Sequence, residues 1–162
     1  MLIEMKIYIA LLLTAMLLFS GGCASKKTSL KLDPAVAADK LVSSVKFTDE
    51  MSPIDKTTAL KLYGLDQSCV SAVKAYESTG ATAEEIAVFE AKDGAAQEKV
   101  KKAVQQRIED QRAGFRDYQP KEMTKLKNPV LVTSGNYVFL CISDDDAAVQ
   151  KSINSLLKNI SS

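Results

Sequence analysis

The sequence predicts an α+β domain: one small unit with a mostly antiparallel sheet of four to five strands, packed by helices. Three observations carry that expectation. Strand-like segments come in pairs, Val70–Glu77 with Ile86–Ala91 and then Val130–Thr133 with Tyr137–Ile142, which is hairpin order. Helical segments stand between the pairs instead of alternating with single strands, as a parallel sheet would require. The chain has 162 residues, of which 46% are apolar and 25% charged, enough for one hydrophobic core and not comfortably for two.

Each element has a local reason. Asp33-Pro34 reads as N-cap and first residue of a helix reaching about Ser44. Val45–Phe47 reads as a short strand. Ser52-Pro53-Ile54-Asp55 supplies a cap, a first-turn proline and an acid, predicting a second helix that Gly64 closes. Val70–Glu77 is rich in Val and Tyr, and Ile86–Ala91 (IAVFEA) is nearly all apolar; both predict strands. Between them Thr82-Ala83-Glu84-Glu85 has capping-box spacing, predicting one helical turn.

After Asp93-Gly94 the longest helix should run to about Tyr118. Val100, Val104, Ile108, Gln111, Phe115 and Tyr118 recur at spacings of three and four, so they share one face. Lys101, Lys102, Gln105, Glu109 and Arg112 occupy the solvated side. Pro120 opens a short helix to Lys127, and Ser134-Gly135-Asn136 joins the last two strands through a hairpin turn. Ser143–Asp146 caps a final helix with Val149, Ile153, Leu156 and Ile160 inward. The tyrosines and phenylalanines in these elements are expected in the core.

The N-terminus belongs to a different kind of segment. Lys6 precedes thirteen uncharged residues, Ile7–Phe19, too few for a spanning helix of about 18 to 20 and suited to a signal-peptide core. Ser20-Gly21-Gly22 and then Cys23 follow. This run resembles a bacterial lipoprotein signal, in which cleavage before the cysteine leaves its sulfur carrying a diacylglyceryl group; Ser20 departs from the usual leucine. Residues 1–22 are thus expected to be a signal peptide, 23–32 a lipidated cysteine and tether, and 33–162 one globular domain. Acyl chains contribute about 0.8 kcal/mol per buried methylene, so two or three hold a protein on a bilayer. Lys26, Lys27 and Lys31 either add attraction to an anionic surface or simply solvate the tether.

Composition excludes several chemistries. There is no histidine, which removes Ser-His-Asp and Cys-His nucleophile systems and most zinc sites. Lys plus Arg number 21 against 20 Asp plus Glu, a net charge of +1, so no basic surplus points to nucleic acid. No cofactor or metal motif is present. Ser-x-x-Lys recurs at Ser43/Lys46, Ser71/Lys74 and Ser155/Lys158, but no Ser-Asp-Asn or Lys-Thr-Gly accompanies it.

The remaining candidates each have a plain structural alternative. Asp144, Asp145 and Asp146 offer oxygen ligands, yet three adjacent acids at a helix start fan outward and suit capping of the helix dipole. Glu84 and Glu85 are the candidates for an acid/base pair, although neighbours on a helix do not face each other; the alternative is a solvated capping turn. With Cys23 lipidated, Cys69 and Cys141 are left, as an extracytoplasmic disulfide or as two separate buried thiols.

Leu62-Tyr63-Gly64-Leu65-Asp66, Ser78–Ala91 (STGATAEEIAVFEA), Phe115-Arg116-Asp117-Tyr118-Gln119-Pro120, Gly135-Asn136-Tyr137-Val138 and Ile142-Ser143-Asp144-Asp145 occur in one order. Together they resemble an uncharacterised lipoprotein family of clostridia and related Gram-positive bacteria, domain of unknown function 4358, over about Asp33 to Ser155. The resemblance implies a lipoprotein signal, a tether and one small domain, and it implies no catalytic residue. The expected function is a lipid-anchored binding or interaction domain at the cell envelope, its partners the membrane and an unidentified envelope protein or ligand. A carboxylate-dependent envelope enzyme and an accessory subunit of a membrane complex are the alternatives.

Overall fold

A computed structural model describes residues 32–158. The signal segment, Cys23, the tether lysines and Ile160 lie outside the described residues. Five α-helices and five strands are described, in the order α1 (Pro34–Ser44), β1 (Ser52–Ile54), α2 (Lys56–Leu62), β2 (Val70–Glu77), β3 (Glu85–Ala91), α3 (Gly94–Tyr118), α4 (Met123–Lys127), β4 (Val130–Ser134), β5 (Tyr137–Ile142) and α5 (Asp146–Lys158). The strands form one sheet, β1-β2-β3-β5-β4, with every neighbouring pair antiparallel. The α+β class and the antiparallel sheet therefore hold.

Helices cover both faces. Because side chains alternate along a strand, Ala87 and Phe89 of β3 with Val138, Leu140 and Ile142 of β5 pack against α2, α3 and α4. Ile86 and Val88 with Tyr137, Phe139 and Cys141 pack on α1 and α5. Two-sided burial explains why β3 and β5 read as continuous apolar runs without alternation.

The caps of α1 and α3 and the end of α2 are set where the sequence indicates them. The Asp33 carboxylate accepts from Ala35 N at 2.8 Å and that of Asp93 from Ala96 N at 2.7 Å. Gly64, at φ +61°, ends α2, and Leu65 N donates back to Leu60 O at 2.8 Å. Gly135, at φ +55°, takes the first position of the two-residue β4–β5 turn, a conformation glycine adopts without strain.

Four local expectations are corrected. Val45–Phe47 is not a strand: Val45 N caps α1 by donating to Leu41 O, and the following amides, of Thr48 and Asp49, are spent on the Glu84 carboxylate. The strand comes later, at Ser52–Ile54, where Pro53 is tolerated because β1 is an edge. Asp55, not Ser52, is the cap of α2, accepting from Thr57 N and Thr58 N. Thr82–Glu85 forms no helical turn; Glu85 already opens β3. Tyr118 ends α3 at 67% exposure, beyond the reach of the core that its spacing suggested.

Candidate functional site

Glu84 and Glu85 are 2% and 1% exposed, so the expected solvated turn is wrong. They lie at the sheet end where β2 turns into β3, and α3 and α4 close over them. Both line a cleft of about 260 Å³, with Ser78, Thr79, Gly80 and Thr82 of the β2–β3 loop on one side and Arg107, Gln111 and Phe115 of α3 on the other. Residues adjacent in a strand point to opposite faces, so each glutamate enters a different network.

Glu85 faces α3. It accepts hydrogen bonds from the Tyr63 hydroxyl, from Gln111 Nε2, and from Arg107, whose Nε and Nη2 lie 3.0 and 2.8 Å from Oε2. Directly across the β2–β3 ladder stands Glu77, another acid. Like charges at that position repel, and Arg107 bridges them by donating Nη2 to Glu77 Oε1 at 3.0 Å. The cost falls on Glu77, the more exposed acid: burial first, and the neighbouring Glu85 charge second, hold its carboxyl above the usual range despite Arg107. Burial and the Glu85 charge also push the Tyr63 phenol well up, so it stays a proton donor. For Arg107 burial works against the cation, and the charge and hydrogen bond of Glu85, together with Tyr63 and Glu77, outweigh it and raise the guanidinium further.

Glu84 turns toward α4 and the α1–β1 loop. Its oxygens accept from Thr48 N at 2.9 Å, Asp49 N at 2.9 Å, Thr48 Oγ1 at 2.9 Å and Lys125 Nζ at 3.0 Å. Burial alone would raise this carboxyl, but those donors overcome it and its pKa falls below the usual value. Lys125, 5% exposed, also lies 3.0 Å from Glu122 Oε2 and 3.6 Å from Asp144 Oδ2. Glu122 in turn accepts from Ala83 N at 3.1 Å. Desolvation opposes the Lys125 ammonium, and its bonds to Glu122 and Glu84 hold it above the ordinary lysine range.

The other sequence candidates do not join this site as a set. Asp145 is the cap of α5, accepting from Ala148 N at 2.9 Å; Asp144 leans on Lys125, and Asp146 is raised by burial and by its two acidic neighbours. Among the described residues no group of His, Cys, Asp or Glu is arranged to hold a metal. Cys69 and Cys141 are free thiols and pack on opposite faces of the sheet. Burial pushes the Cys141 thiol well above its usual value.

Sequence reasoning missed Arg107, Lys125, Glu122 and Glu77. One signal was present: Gln111 sits in the apolar stripe of α3, and Arg107, four residues earlier, shares its face. Lys125 and Glu122 gave none, because a five-residue helix has too short a pattern to set a burial side.

Residues 43–143 match the family described as Domain of unknown function (DUF4358), which is more than half of the chain. The chain belongs to that family. The DUF4358 match runs from the end of α1 to the start of the α5 cap and contains every residue of both networks but Asp144. No curated protein and no solved structure matches the chain.

Proposed function

We propose that this DUF4358 protein is a lipid-anchored, extracytoplasmic binding domain of the cell envelope, without catalysis at the glutamate cleft. The single observation that carries the reading is the saturation of its buried acids. Glu84 and Glu85 each receive three or more donors from the chain itself, and among the described residues no buried side-chain nitrogen or oxygen lacks a partner. A general base must keep a lone pair for the substrate proton; these carboxylates spend theirs on cross-linking loops and helices.

The course of the chain is compatible with an anchor at Cys23. Leu32 N donates to the Tyr137 hydroxyl at 2.9 Å, at the end of β5 that pairs with Glu90, whereas the cleft lies at the other end, where Ile142 pairs with Glu85. Five residues of strand separate the two ends by about 17 Å. An anchored domain would thus enter from the membrane at one end and present the cleft at the other. No helix of the described residues is long and apolar enough to cross a membrane.

The test is metabolic labelling with a palmitate analogue in a Gram-positive host. Label on the wild-type protein and none on Cys23→Ser, with release of the variant from the membrane fraction, is expected. Unlabelled wild type, or a variant that stays membrane-bound, refutes the anchor.

A further inference from the structure

The two edges of the sheet are not alike. β1 is three residues long with Pro53, which has no amide proton, at its centre, and so is a poor template for another strand. β4, the opposite edge, is five residues long, carries no proline or charge within Val130–Ser134, and keeps an unbroken register with β5. A two-residue turn makes Ser134 and Tyr137 a hydrogen-bonded pair, as are Val132 with Phe139 and Val130 with Cys141. The N–H and C=O groups of Leu131 and Thr133 therefore point away from the sheet, with no strand among the described residues to receive them.

Beside this edge runs a groove of about 600 Å³ between α3 and β4. Its floor is apolar, from Ile108, Pro129 and Leu131, and its rim carries three cations, Lys102, Arg112 and Lys127, against one acid, Glu109. Arg112 is committed: it donates Nε to Leu126 O at 2.9 Å and pairs with Glu109. Lys102 and Lys127 are exposed and make no ion pair among the described residues. The Arg112–Leu126 bond puts Lys127 near Arg112, while Lys102 lies ten helical positions back, about 15 Å along the axis. That span equals about four to five residues of extended chain.

We propose that β4 receives an extended segment of a partner protein by strand addition. The segment carries acidic residues four positions apart, facing Lys102 and Lys127, and an apolar residue midway between them on the groove floor. Main-chain bonds to Leu131 and Thr133 supply the docking, and the two lysines supply selectivity. Charge argues against a second copy of this chain, which would bring another basic rim to the same edge. The proposal rests on the sheet edge, not on the lipid anchor, so a Cys23→Ser chain should behave as wild type here.

The test selects a displayed library of random nonapeptides on the full chain in detergent micelles. Enrichment of peptides with acids at i and i+4 around an apolar i+2 is expected. The best synthetic peptide, followed by fluorescence anisotropy, should weaken at least tenfold on Thr133→Pro, which removes an outward N–H. It should weaken at least tenfold again on Lys102→Glu with Lys127→Glu, and slow amide exchange at Leu131 and Thr133. The lysine pair is exposed and decides the matter if the proline variant does not fold. No enrichment, enrichment of basic or patternless peptides, binding indifferent to these variants, or a dimer formed through the same edge would each overturn the proposal.

Discussion

Lys125→Met is the sharpest perturbation of the interior. The ammonium is 4% exposed at its side chain and lies 3.0 Å from both Glu84 and Glu122, with Thr48 Oγ1 at 2.9 Å. Methionine fills nearly the same volume, so the effect isolates charge from packing. Removing one partner of a buried ion pair costs about 3–5 kcal/mol, because the charge left behind is uncompensated. Here two carboxylates are left, but Glu84 keeps Thr48 N, Asp49 N and Thr48 Oγ1, which places the cost at the low end, about 3 kcal/mol. A domain of this size shifts by about 3–4 °C per kcal/mol, so the midpoint should fall by about 10 °C.

The pH dependence separates this account from simple loss of packing. In the wild type the Glu84 carboxyl titrates below its ordinary value, so its contribution is complete at neutral pH and is lost as pH falls through the folded pKa. In the variant the lowering that Lys125 supplies is gone, so Glu84 takes up its proton at a higher pH than in the wild type. The gap between variant and wild type should therefore be widest near pH 7 and narrow toward pH 4. Thermal or urea unfolding across that range measures it, and adding Glu84→Gln and Glu122→Gln to Lys125→Met should recover part of the loss. A deficit below about 1 kcal/mol, or one that is the same at both pH values, would refute the argument.

Two further outcomes follow from the same structure. Carbon-detected titration should find Glu77 protonating above the ordinary glutamate value, and Arg107→Met should raise it further, since the bridging cation is what limits the shift; folding stability then gains from Glu77 as pH falls through that interval. Maleimide should label half-buried Cys69 in the native protein and reach Cys141 only on unfolding, because the Cys141 thiol is buried and its thiolate is suppressed; equal labelling rates would contradict the placement of the two thiols.

What the sequence disclosed, and what it concealed, divides along a physical line. Elements whose pattern is long and local were legible: α3 runs from Gly94 to Tyr118, and β2 and the β4–β5 hairpin fall where propensity and turn chemistry put them. Pro34 and Pro53 show the limit of local reading. Both follow a residue able to cap a helix, yet Pro34 opens α1 and Pro53 sits in an edge strand, because Tyr76 and its neighbours in β2 offer a partner that no local rule contains. The same holds for Thr82–Glu85, where capping-box spacing was overruled by burial between α3 and α4. Glu84 was legible as a residue of interest and misread in its surroundings, since Thr48, Asp49 and Lys125, which supply most of its donors, lie more than thirty residues away in the sequence.

That distance also bears on function. An acid that transfers a proton needs an oxygen within hydrogen-bond reach of the substrate. Glu84 and Glu85 instead join segments far apart in the chain: Thr48, Glu84 and Lys125 on one side, Tyr63, Glu85 and Arg107 on the other. Such networks fix the relative positions of α2, α3, α4 and the β2–β3 loop more tightly than apolar contacts alone, since each donor has a direction. A rigid end of this kind suits a domain that presents a fixed surface. The β4 edge, by contrast, has backbone donors and acceptors that no strand among the described residues takes up, and it is there that a partner has something to gain.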